Sequence, residues 1–166
     1  MVNLMTCKEN ILKSILSEPI TFMNLVTTVN CSPETVNKYV HELEDQKKII
    51  HKKGKFKIFY NPELELEKIN FYELMLNNSL RSTVSLLLTS KDLSQFEIEQ
   101  KTLKSRPTVS RTLSVLVQNN IVQIHYHAPY KTYLIKNKPK IISWIKQTNS
   151  HLIDNMTDNL VKMFNY

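Results

Sequence analysis

A nine-residue pattern occurs twice in this chain. Thr35-Val36-Asn37-Lys38-Tyr39-Val40-His41-Glu42-Leu43 aligns with Thr108-Val109-Ser110-Arg111-Thr112-Leu113-Ser114-Val115-Leu116 at an offset of 73 (108 − 35). Each copy reads Thr-Val, a small polar residue, a base, a variable position, a branched apolar residue and, three places on, Leu. A proline precedes both, Pro33 and Pro107. Upstream at the same offset, Thr21 and Ser94 read as helix N-caps, with Leu25 and Ile98 as the matching buried positions. Downstream, Ile49-Ile50 and Ile121-Val122 each open a basic, strand-like stretch. Two copies are too few for a solenoid, and 166 residues are enough for two small domains. The fold class predicted is mostly α with small β-hairpins (α+β), each unit running helix, helix, helix, hairpin. The boundaries are a first domain over 1–62, a linker helix over 63–79, a second domain over 80–136 and a long C-terminal helix over 137–166.

In the second copy, Val109, Leu113 and Leu116 stand at i, i+4 and i+7, so a helix buries one narrow stripe. Ser105 suits the N-cap, and Pro107 suits the first turn, where its missing N–H costs nothing. The opposite face carries Thr108, Ser110, Arg111 and Ser114, with Arg106 at the entrance. Short hydroxyls and arginines on a stiff helix match phosphate oxygens and base edges in a DNA major groove. An ordinary amphipathic surface helix would show the same stripe, and the repetition is what favours the functional reading. The first copy offers Thr35, Asn37, Lys38 and His41, but Glu34, Glu42, Glu44 and Asp45 beside them would repel phosphate.

Lys47, Lys48, Lys52, Lys53, Lys55 and Lys57 crowd into the following stretch around Gly54, the single glycine of the chain. The spacing predicts a hairpin that turns at Gly54 with positive φ and points Ile50, Phe56 and Ile58 inward. Lys52, Lys53, Lys55 and Lys57 then face outward, where phosphate contact would give affinity without sequence information. The second hairpin reads Ile121 to His127, a turn at Ala128-Pro129-Tyr130, and a return through Ile135. His125 and His127 share a face of it and could ligate a metal. No third ligand is visible nearby in sequence, so no metal is assigned and the pair, with Lys131, is read as lining the hairpin.

This order of elements resembles the winged helix-turn-helix family, in particular MarR/ArsR-like transcription regulators of the tandem kind found in archaea. The resemblance covers residues 8 to 136 in two passes, carried by T-V-S-R-T-L-S-V-L and less closely by T-V-N-K-Y-V-H-E-L. It implies two tandem winged helix-turn-helix domains, a third helix of each in the major groove and a hairpin wing along the backbone. That role falls on Thr108, Ser110, Arg111 and Ser114, and in the first copy on Thr35, Asn37, Lys38 and His41. It also implies that terminal helices form a homodimer. The apolar stripe Ile141, Ile145, Leu152, Met156, Leu160 and Met163 fits either that role or packing across both units.

Composition narrows the alternatives. A net charge of +7 favours a polyanionic partner, and the basic residues gather in the two repeat units while 61–89 is acidic. One glycine excludes P-loop and dinucleotide-binding loops, and neither H-E-x-x-H nor G-x-S-x-G occurs. Cys7 and Cys31 show no metal spacing and no disulfide framework, which fits a reducing cytoplasm. No apolar run approaches a membrane span and no secretory core opens the chain. The expectation is a cytoplasmic, non-enzymatic transcription regulator without a cofactor. Its expected partners are promoter or operator double-stranded DNA, a second copy of itself and elements of the basal transcription machinery, with no membrane. The other class in view is a winged-helix protein–protein module of a transcription or replication assembly.

Overall fold

The computed structural model describes residues 6–148. The chain divides into two compact units after Glu73. In the first unit, α1 (Cys7–Ser17) is followed by β1 (Ile20–Thr21), α2 (Phe22–Val29), α3 (Pro33–Asp45), β2 (Ile50–Lys52) and β3 (Ile58–Tyr60). Helix α4 (Leu66–Met75) spans the division. The second unit repeats the order with α5 (Asn78–Thr89), β4 (Leu93–Ser94), α6 (Gln95–Thr102), α7 (Arg106–Gln118), β5 (Val122–His127) and β6 (Tyr130–Ile135), and adds α8 (Lys138–Lys146). The fold is therefore α+β, with two small antiparallel sheets among the described residues, ordered β1-β3-β2 and β4-β6-β5.

The duplication holds at the level of single core positions. Ile11 and Val84, Ile15 and Leu88, Ile20 and Leu93, Leu25 and Ile98 are each 73 apart and all buried. So are Val36 and Val109, Val40 and Leu113, Leu43 and Leu116, and Ile49 and Val122. Each such side chain contributes about 1.5–3 kcal/mol by leaving water. Strand register repeats too: Ile20 and His51 flank Phe59, as Leu93 and Ile124 flank Tyr133. The offset grows to 74 across the hairpin because the second one is a residue longer. The left-handed positions also recur at 73, Asn30 with Leu103 and Lys47 with Asn120.

Caps fix the helix starts. Thr6 and Ser94 form reciprocal capping boxes with Glu9 and Glu97, and Thr21 and Ser32 accept from the N–H three residues on. Asn77 accepts from Ser79 and Leu80 N–H and so starts α5, while Arg81 Nη1 donates to the Met75 carbonyl at 2.8 Å and secures the same turn.

Several local expectations need correcting. Ile50 and Phe56 are exposed: Ile49 is the residue that turns inward, and a one-residue shift flips a strand's faces. Gly54 does not adopt positive φ. What it supplies is space, since a Cβ there would collide with the Glu73 carboxylate. Cys7 and Cys31, read as separate thiols, are joined by a disulfide across 24 residues, because α1 packs against α2 and α3 and carries Cys7 to the turn before α3. The cysteine count therefore says nothing about compartment.

The helix read as starting at Asn137 does so, with the Asn137 side chain accepting from Lys140 N–H. It ends at Lys146, where Thr148 Oγ1 donates to the Trp144 carbonyl and Thr148 N–H to that of Ile145. Leu152, Met156, Leu160 and Met163 of the expected stripe lie outside the described residues. No helix among the described residues is long and apolar enough to cross a membrane.

Candidate nucleic-acid interface

Helix α7 buries Val109, Thr112, Leu113 and Leu116, which fixes its rotation on the second unit. Arg106, Ser110, Arg111 and Ser114 are left exposed on the other side. Neither arginine has a partner among the described residues, so both guanidiniums keep their full donor sets. Ser105 occupies the N-cap without capping a backbone N–H; its hydroxyl lies 2.9 Å from that of Thr108 instead. Thr108 is consequently half-buried and engaged. Ser114 Oγ donates to the Ser110 carbonyl at 3.0 Å, leaving its oxygen lone pairs outward.

The corresponding face of α3 is less open. Asn37, Lys38 and His41 are exposed, while Thr35 is half-buried with its hydroxyl 2.9 Å from Ser32. Lys38 Nζ lies over the Tyr39 ring at 5.7 Å. The acids that would oppose phosphate are partly neutralised within the unit. Lys8 holds Glu42, and this hydrogen bond is the main reason its carboxyl ionises below the usual range. Glu44 is met by His51, by Lys57 at 3.8 Å and by His41 at 3.8 Å.

The lysines of the first hairpin split into two groups. Lys52 Nζ reaches Glu73 Oε2 at 2.5 Å and Asn70 Oδ1 at 2.6 Å, so it ties the hairpin to α4. Lys57 turns to Glu44 and covers the Phe59 ring at 4.8 Å. Lys53 and Lys55 are exposed at the tip, Lys55 over the Phe56 ring at 5.6 Å. In the second hairpin Lys131 is exposed, its ammonium 5.3 Å from the Tyr133 ring centre, among exposed His125, Tyr126, His127 and Tyr130.

No protein-family model matches this chain, and no curated protein matches it. Among solved structures, the DIP2311 protein from Corynebacterium diphtheriae is similar at 14% identity, over 78% of this chain and 26% of that one, with a TM-score of 0.31. The chain thus spans about a quarter of that protein's length, and a likeness this slight carries no argument.

One group beside these elements was missed in the sequence. Asp92 faces the His125–His127 pair from the residue before β4, a neighbour that only sheet pairing reveals. Tyr72 of α4 is buried in the first unit, its phenol pushed up to about 12, mainly by burial and also by the nearby Glu18 carboxylate. Nothing in the spacing of α4 distinguishes Tyr72 from its apolar neighbours.

Proposed function

We propose that this chain is a sequence-specific double-stranded DNA-binding transcription regulator built from two tandem winged helix-turn-helix units. The observation that carries the reading is the exposed face of α7, where Arg106 and Arg111, without a partner among the described residues, stand beside Ser110 and Ser114 on a helix held rigid by its buried side. The repeated order of three helices and a three-stranded sheet with a projecting hairpin supports it. In this reading α7 enters the major groove, Arg111 and Arg106 meet guanine edges or phosphates, and the hydroxyls make shorter contacts. Lys53, Lys55 and Lys131 bind the flanking backbone. Helix α3 contributes Asn37, Lys38 and His41 at a second position, with less free charge. The proposed location is the cytoplasm, and the proposed assembly is a homodimer, which sedimentation would count.

The neutralised or occupied lysines sharpen the test. Binding of a mixed-sequence duplex, measured across salt concentration, should weaken steeply as salt rises. Lys53→Ala should lower the slope of log K against log salt by about 1 and weaken all sequences alike. Lys52→Ala should change that slope less, because its ammonium is already committed to Glu73 and Asn70. Salt-independent binding, or none, would overturn the reading.

A further inference from the structure

The outer faces of β4 and β5 bring together three side chains that the DNA-binding reading does not use. His125 and His127 are two apart on β5, so they project from the same side of the sheet. On the central strand β6, Thr132 sits opposite His125 on one side and Ser94 of β4 on the other. Asp92, two residues before Ser94, lies on that same side. One donor atom from each of Asp92, His125 and His127 falls within 4.8 Å of the other two. His127 Nε2 is 3.9 Å from Asp92 Oδ2, and the two imidazoles stand nearly perpendicular with centroids 6.0 Å apart. Thr132 Oγ1 donates to Asp92 Oδ2 at 3.1 Å and so fixes the carboxylate toward the histidines.

We propose that Asp92, His125 and His127 form a binding site for a divalent transition metal of the zinc class. Two imidazole nitrogens and one carboxylate oxygen are the donor set such ions take, whereas magnesium and calcium prefer oxygen alone. Zinc holds its donors at about 2.0–2.2 Å, which puts tetrahedral ligands roughly 3.3–3.5 Å apart. The three donors need close by only an ångström or so. All three side chains are exposed, so none is locked in the core. Thr132 supplies the outer hydrogen bond that orients a ligating carboxylate. The fourth coordination position opens to solvent, for water or an added ligand. A bound ion would bridge the outer strands β4 and β5 across β6 and fasten the second hairpin.

The duplication provides an internal comparison. The residues 73 positions earlier are Pro19, Lys52 and Gly54, none of which ligates. The site is therefore confined to the second unit and independent of whether either unit reads DNA.

Titration of the full chain with Co(II), followed by its visible absorption, and with Zn(II) by calorimetry, tests the site. The expected result is one equivalent bound per chain with micromolar or tighter affinity. The double substitution His125→Ala with His127→Ala should abolish that equivalent. Asp92→Asn should weaken it by at least the about 10–100-fold that loss of an outer-shell partner costs. His51→Ala, already engaged with Glu44, should leave it unchanged. Circular dichroism matching the parent chain would show that these surface variants fold. Affinity no better than millimolar, or an equivalent that survives the histidine pair's removal or is indifferent to Asp92→Asn, would overturn the proposal.

Discussion

Leu103 ends α6 in the left-handed region, at φ 53° and ψ 34°, and its side chain is 92% exposed. A branched side chain there costs about 1–2 kcal/mol that asparagine largely avoids, and exposure means no burial is lost on replacing it. The equivalent position in the first unit is Asn30, with nearly the same backbone angles. Leu103→Asn should therefore stabilise the second unit by about 1 kcal/mol, raising its thermal midpoint by roughly 4–8 °C. An unchanged or lowered midpoint in calorimetry would show the turn to be unstrained.

Tyr72 gives the residue scale a pH signature. Its phenol ionises near 12 in the folded chain against 10.0 ordinarily. Below pH 10 both folded and unfolded chains keep the proton. Between pH 10 and 12 only the unfolded chain releases it, so stability falls with rising pH, by about 2–3 kcal/mol over that window. Tyr72→Phe should remove that part of the alkaline loss in urea titrations at successive pH values, and an identical alkaline limb in the variant would rule this out.

At the scale of elements, the disulfide ties the start of α1 covalently to the turn before α3. It closes a loop of 24 residues. Loop-closure entropy makes such a link worth about 3 kcal/mol. Reduction, or Cys7→Ser with Cys31→Ser, should lower the first unit's denaturation midpoint and leave the second unit's unmoved. A first-unit transition insensitive to reductant would contradict it.

The helices were legible in the sequence because stripes such as Val109, Leu113 and Leu116 repeat at the helical period and caps such as Ser94 announce themselves. The two-residue strands β1 and β4 were not, since two residues carry no periodicity, and each exists only through pairing with β3 or β6. The same blindness hid the Cys7–Cys31 contact and the approach of Asp92 to the histidines, because sequence distance is silent about neighbours across a sheet or a helix pair. Ile50 misled for a different reason: Ile49-Ile50 is apolar on both faces, and period-two alternation cannot choose between them.

For the whole molecule, duplication was the legible fact, and it extends in the structure to core positions, strand register and left-handed turns. What distinguishes the units is their surfaces. On α7 the arginines have no partner among the described residues. Around α3 the charges largely answer one another, with Lys8 on Glu42 and Lys57 and two histidines about Glu44. Under the proposed function that difference would give base reading chiefly to the second unit, in line with Glu34, Glu42, Glu44 and Asp45, the acids that already set the first copy apart in the sequence.

Selection of bound sites from randomised duplexes, run side by side with the parent chain and Arg111→Ala, tests the central claim most directly. The account predicts an enriched motif for the parent chain, and for the variant the same motif relaxed at one base position, with binding to the parent site weakened by about 1–3 kcal/mol. A folded parent chain that enriches no motif, or an Arg111→Ala variant that enriches the parent motif unchanged, would contradict it.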